Sequence, residues 1–343
     1  MWQVIGQEWA LSLLRRSLEK KTLAHAYIFS GPHNVGKMTL AINLAQALNC
    51  QSDEKPCGEC AACLKTLQGK HADVQVIDID SAKEDDEVKR RTEIGIKQIR
   101  QLQHSASLPP FEGRYKVFII DGAELLSTEA ANCLLKTLEE PAEKIVFILL
   151  TANAELILPT VMSRCQELKL NTMSVEAIAA VLKDKYNVEP QQADLLSRLC
   201  HGCIGWAISA VLDDKTSRQY FEKREGMLET IQSDCEERFA YAEKLARQFG
   251  QKREDAQQIL DIWLDVWRDL LLLKSGCGGL ITNIDIKDKL KTMVEEYRLD
   301  SIRRFIDDIK ETGERLGRNA NPRLALEVLM LDIPERGRER VKG

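Results

Sequence analysis

Four cysteines, Cys50, Cys57, Cys60 and Cys63, stand within fourteen positions. Four thiolates at such close spacing suit a tetrahedral structural zinc. A ferredoxin-type iron–sulfur site would need a further cysteine just downstream followed by proline, and none follows. A redox Cys-x-x-Cys needs only two of the four. Free buried thiols are the plain alternative. The other six cysteines, at 133, 165, 200, 203, 235 and 277, are scattered in apolar or helical settings and read as small buried hydrophobes.

Gly31-Pro32-His33-Asn34-Val35-Gly36-Lys37 has the body of a phosphate loop. It follows the apolar run Ala26-Tyr27-Ile28-Phe29 and opens the helical pattern Lys37–Leu48. That context gives the motif its meaning. Glycines let backbone N–H groups turn inward, the lysine reaches the terminal phosphates, and the helix N-terminus adds positive potential. A glycine turn that happens to precede a lysine is the alternative. The next position asks for the Ser or Thr whose hydroxyl ligates Mg²⁺, and here it is Met38. Thr39 follows one step later, about 100° further round the helix, so it is no simple substitute. Asp121, after the strand run Val117–Ile120, is the acid such a site takes from a neighbouring strand. The glutamate that would polarise an attacking water is replaced by Gly122, and Glu124 is read as pointing elsewhere. A capping role for Asp121 is the alternative, made the lesser one by the phosphate loop upstream.

These residues need elements to place them. Trp9–Glu19, Lys37–Leu48 and Thr128–Leu138 have apolar residues at helical spacing, while Ala26–Phe29, Asp73–Asp80, Val117–Ile120 and Ile145–Leu150 read as strands. Strands alternating with helices predict a parallel sheet covered on both faces. After Leu170 no strand is expected. Ser174–Lys183, Pro190–Leu199 and Gly205–Leu212 read as three short helices. Longer ones follow over Gln219–Gln232, Arg238–Phe249, Asp255–Leu273, Ile284–Tyr297, Leu299–Leu316 and Pro322–Leu331, ahead of a charged, solvated tail from Glu335. The predicted order is an α/β domain over 1–170 carrying the cysteine module at about 50–66, a three-helix domain over 171–214, and an all-helical domain over 215–343.

The chain has 343 residues, 44% hydrophobic and 29% charged, as expected of a globular protein with sizeable cores. Its 48 Lys+Arg against 53 Asp+Glu give a net charge of −5, so a nucleic-acid contact would need a local patch. Lys97, Ile99, Arg100 and Leu102 could approach DNA phosphates from one helix, although a solvated face is the default. The helical stripe Ile259, Leu260, Trp263, Val266, Trp267 and Leu270 reads as packed core or subunit interface. No apolar run approaches membrane-spanning length, and no signal peptide is read at the start, so a cytoplasmic location is expected.

Several stretches together resemble one family. They are Val4–Gln7, Ala24–Tyr27, Gly31–Lys37, the four-cysteine insertion, Lys116–Glu124, the run from Ala131 to Pro141, Leu158–Cys165 and Asn319–Glu327. The sequence resembles the delta-prime family of bacterial DNA polymerase III clamp-loader subunits, within the AAA+ proteins. The Leu-Leu-Lys-Thr-Leu-Glu-Glu-Pro run and Ser163-Arg164-Cys165 are the specific parts; the phosphate loop alone is not. The resemblance implies a AAA+ α/β domain with a zinc module, a small helical lid and an all-α collar used in oligomerisation. It also implies that Val4 and Ile5 border an adenine, with Gly31, Gly36, Lys37, Thr39, Asp121 and Asn153 around the phosphates and Asn153 sensing the γ-phosphate. Arg164 would be an arginine finger given to a neighbouring subunit's ATP, an ordinary ion pair being the alternative. The position where many relatives carry a lid arginine is matched to Trp206. The implied activity is loading of the sliding clamp onto primed DNA during replication. The implied partners are gamma/tau and delta subunits in a hetero-oligomer, with the clamp and DNA reached through the complex and no membrane. ATP and Mg²⁺ would bind weakly or go unhydrolysed at the chain's own site. An active gamma/tau-type motor is the alternative reading, expected to carry Ser or Thr at position 38 and Glu at 122. A AAA+ branch-migration motor is a more distant one.

Overall fold

The computed structural model describes residues 2–79, 93–249, 253–318 and 320–335. Asp80, Asn319 and all but the first residue of the expected charged tail lie outside them. Two compact units emerge: Met1–Ser174 with Gly202–Trp206, and Val175–His201 with Ala207–Gly343.

The first unit is built in the order α1 (Glu8–Glu19), β1 (Ala26–Ser30), α2 (Lys37–Asn49), α3 (Ala61–Leu67), β2 (Val74–Ile77), α4 (Ile96–Ala106), β3 (Lys116–Asp121), α5 (Thr128–Glu139), β4 (Ile145–Thr151), α6 (Pro159–Met162) and β5 (Gln166–Lys169). The five strands form one parallel sheet in the order β2-β3-β4-β1-β5. Central strands covered on both faces must be apolar throughout, and Phe118 to Ile120 and Ile145 to Leu150 are buried without a break. One face packs Tyr27, Phe29, Ile119, Ile148 and Leu150 against α1 and α2. The other packs Ile28, Phe118, Ile120, Phe147 and Leu149 against α4 and α5. Phe118 and Phe147 stack across β3 and β4 with ring centroids 5.4 Å apart.

β5 is the strand the pattern missed. Its sequence is Gln-Glu-Leu-Lys and only Leu168 is buried. An edge strand can be polar, and parallel pairing with β1 over Tyr27–Ser30 defines it rather than hydrophobic periodicity. The short β2 stops at Ile77, three residues before the expected end.

The second unit is helical: α7 (Val175–Tyr186), α8 (Pro190–Leu199), the body of α9 (Ile204–Leu212), α10 (Asp214–Gln232), α11 (Cys235–Phe249), α12 (Arg253–Lys274), α13 (Lys287–Glu295), α14 (Leu299–Gly317) and α15 (Pro322–Leu331). The α12 stripe is core: Trp263, Val266, Trp267 and Leu270 are fully buried, and Trp267 meets Phe305 of α14 edge-on at 4.6 Å. Beside them Asp269 accepts hydrogen bonds from the Thr282 and Asn283 amides and the Asn283 side chain. Arg224 of α10 closes on Asn283 and Asp285, so this buried polar network holds the loop before α13.

Candidate nucleotide and cysteine sites

The register aligns the carboxyl ends of three strands. Ser30 pairs with Thr151, and Leu150 with Asp121. β4 lies between β1 and β3, so the segment after β4 separates the phosphate loop from Asp121. Ligands of parallel sheets bind at these strand ends.

Loop 31–36 has Gly31, Asn34 and Gly36 at φ 147°, 60° and 108°. Residues in this left-handed region turn N–H groups toward one concavity, an anion-binding arrangement. Gly31 is required, because a Cβ there would lie 2.6 Å from the Leu170 carbonyl oxygen. Lys37 is buried, and its Nζ donates to the Gly31 and Pro32 carbonyl oxygens at 2.5 and 2.8 Å. Burial pulls this ammonium down from its ordinary value, while the Glu124 and Asp121 carboxylates oppose the shift. Burial pushes the Asp121 carboxyl up, and Lys37 works against it.

Val4 lies buried over the loop; a Cβ on Gly36 would be 3.2 Å from its Cγ2. The Gln3 and Val4 amides donate to Asn43 Oδ1 in α2, which ties this segment down, and Ile5 is half-buried. Thr39 faces solvent, whereas Met38 packs against the α1–α2 core cluster. No hydroxyl therefore stands at the metal position of the loop. Asn153 is exposed after β4, and its Oδ1 accepts from the Glu155 amide to cap the 3-10 turn Ala154–Leu156.

One residue stands differently from the sequence reading. Gly122, at φ 76°, opens a 3-10 turn that carries Glu124 back to the site. The Glu124 carboxylate accepts from the Ala152 amide at 3.0 Å, its second oxygen is buried without a partner among the described residues, and it is the leading charge opposing the Lys37 shift. Its place three residues after Asp121, inside a tight turn, was the available signal. On α9, next to the Trp206 matched to the lid arginine, the Gly205 amide donates to the Asn34 carbonyl at 2.9 Å and so packs against the loop. A Cβ on Gly205 would sit 2.5 Å from that oxygen, so a side chain there has no room.

Arg164 follows the short α6. Its Nη1 donates to the Thr160 carbonyl at 2.7 Å and Ser163 Oγ at 3.3 Å, and its Nη2 to Glu139 Oε1 at 2.5 Å. The guanidinium is one-third exposed. Burial pushes the adjacent Cys165 thiol up to about 12, so it stays protonated.

The four cysteines converge: their sulfurs lie within 4.8 Å of one another, with Cys57–Cys63 and Cys50–Cys60 at 3.9 Å. Tetrahedral metal–sulfur bonds of about 2.3 Å place sulfurs about 3.8 Å apart. Backbone N–H groups aim at sulfur, from Cys57 to Cys50 at 3.4 Å and from Cys60 to Cys57 at 3.3 Å. Burial opposes ionisation of Cys60, but amides of Gln51 and Cys63 and neighbouring thiols outweigh it and bring it to about 6. Cys63, at the start of α3, is pushed up to about 12 by burial, which a bound cation would reverse. The donor set fits a soft divalent metal.

A parallel sheet with a phosphate-loop turn after β1, an acid after β3 and a polar residue after β4 is the fold of a P-loop α/β domain of AAA+ type. Residues 6–174 match the family model described as DNA polymerase III, delta subunit. The chain is similar to subunits of DNA polymerase III. It is 27% identical to the delta-prime subunit of Bacillus subtilis, over 96% of each chain. It is 28% identical to the tau subunit of the same organism over 96% of its own length, and spans 60% of that relative. A DNA polymerase III gamma subunit-related protein from Thermotoga maritima shares the fold, with 18% identity and a TM-score of 0.51 over 95% of this chain and 99% of that one. No helix among the described residues is long and apolar enough to cross a membrane.

Proposed function

We propose that the chain is a delta-prime-type clamp-loader subunit, whose Arg164 serves the ATP of a neighbouring subunit while its own site turns over little or no ATP. One observation carries the reading: the helix after the phosphate loop turns Met38 against the core cluster and Thr39 to solvent. Phosphoryl transfer needs a placed Mg²⁺ and an oriented water, and the first of these loses its ligand here. Gly31, Gly36, Lys37, Asp121 and Asn153, with Val4 and Ile5 at the base side, would hold a nucleotide without processing it efficiently. The match of residues 6–174 to the family model described as DNA polymerase III, delta subunit, supports the same reading.

In this role residues 171–214 form the lid and 215–343 the collar, gamma/tau and delta subunits are the partners, and the sliding clamp and primed DNA are reached through the assembly in the cytoplasm. Cys50, Cys57, Cys60 and Cys63 hold a structural zinc. Arg164 presents a planar, permanent charge that neutralises a phosphate in the adjoining subunit. Steady-state ATPase tests both halves. The isolated chain is expected to show no turnover approaching 1 s⁻¹, the low end for working enzymes. Arg164→Ala is expected to lower the DNA-stimulated ATPase of a reconstituted loader at equal assembly by size exclusion. Turnover by the chain alone, or an unchanged loader, overturns the respective half. A gamma/tau-type motor is the second reading, and the return of the Glu124 carboxylate toward Lys37 is what favours it.

A further inference from the structure

Arg164 is not a loose surface arginine. Its Nη1 is committed to Thr160 O and Ser163 Oγ, both within its own α6 turn, and these contacts fix the guanidinium from one side only. The other restraint comes from a different element: Glu139, the last residue of α5, accepts from Nη2 at 2.5 Å. A guanidinium carries five N–H groups in one plane. Three are engaged, which leaves two without a partner among the described residues. Anchoring the plane at two separate elements, α5 and α6, sets the direction in which those two N–H groups point.

We propose that Glu139 is a positioning residue for Arg164. It holds the guanidinium in the orientation that offers its two remaining N–H groups to a phosphate of the adjoining subunit. This rests on the finger role proposed above. A side chain as long as arginine has many rotamers, and a trans contact formed from a pre-oriented one avoids the entropy of selecting it. Removal of Glu139 leaves Arg164 charged and still tethered to α6, so the finger is loosened rather than lost. The amide of a glutamine retains an oxygen acceptor at the same reach and keeps the orientation.

The test uses the full chain in a reconstituted loader with clamp and primed DNA, at equal assembly by size exclusion. Glu139→Ala is expected to lower kcat for ATP about fivefold with KM for ATP unchanged, the scale of one partly exposed ion pair. Glu139→Gln is expected to recover most of the rate. In an Arg164→Ala background, Glu139→Ala is expected to cost nothing more. If Arg164→Ala slows the loader while Glu139→Ala does not, the positioning role fails and the finger stands. If Arg164→Ala leaves the rate unchanged, the finger reading fails and this inference falls with it. Additive losses in the double variant, or failure of both Glu139 variants to assemble, would assign Glu139 a structural role and overturn the proposal.

Discussion

At the scale of single residues, the loop over 31–37 keeps the glycines and the lysine of a phosphate loop and lacks the hydroxyl that would hold a metal. Met38 rests a half-buried methyl thioether against the core cluster where the motif asks for a hydroxyl. Met38→Thr is therefore expected to tighten Mg²⁺-dependent ATP binding about tenfold, since a contact to a charged group contributes about 1.5 kcal/mol. The half-buried methionine's lost packing should cost about 1 kcal/mol of stability. Equilibrium binding with and without Mg²⁺ measures the first effect; affinity unchanged by the metal would mean other groups place it. Sequence spacing made this defect visible, because the helical angle between positions 38 and 39 is fixed. It did not reveal Glu124, whose return depends on a left-handed Gly122 and a single 3-10 turn. Nor did it reveal the close approach of Gly205 to the loop, which only the carbonyl contact shows.

At the scale of elements, two devices anchor irregular chain to the sheet. One is Asp73, fully buried before β2, whose carboxylate accepts from the Phe111, Glu112 and Gly113 amides at 2.7 to 2.8 Å. Burial raises its pKa, but these three donors outweigh that and hold it below the ordinary value. Its stabilising contribution is thus present above the unfolded-state pKa and is lost as pH falls through the lower folded one. Asp73→Ala should destabilise the α/β unit by on the order of 3 kcal/mol, with three amides left unpaired, and the gap from the natural chain should narrow in strong acid. Urea titrations at neutral and strongly acid pH would show both; a gap that widens in acid would contradict the assignment. The second device is the cysteine module. Cys60→Ser is expected to abolish stoichiometric zinc and melt the segment around α3, while the β1–β3–β4 core stays folded. Metal analysis with hydrogen exchange separates the two, and loss of protection in β4 would show that the module is no independent insertion. The cysteine spacing announced this site, and apolar runs announced the central strands. Polar β5 stayed hidden because pairing at a sheet edge places no demand on its side chains.

At the scale of the whole molecule, division into two units changes what a core substitution can do. The α/β unit buries its residues on two faces of one sheet, and the helical unit builds its own cluster around Trp263, Trp267 and Phe305. The helical spacing on α12 alone left open whether its stripe was core or subunit interface; full burial of both tryptophans within one chain decides for core. Trp267→Ala should then cost about 3–5 kcal/mol, the range for removing a large aromatic from a packed interior. The loss belongs to the helical unit, because the aromatic partners of Trp267 are Tyr297 and Phe305. Calorimetry of the variant should show one transition moved to lower temperature and another in place, with zinc content and nucleotide affinity retained by the α/β unit. Incorporation into a reconstituted loader should fall in parallel if residues 215–343 form the collar. A single transition shifting as a whole would mean that the two units unfold together and that a defect in one reaches the phosphate loop of the other.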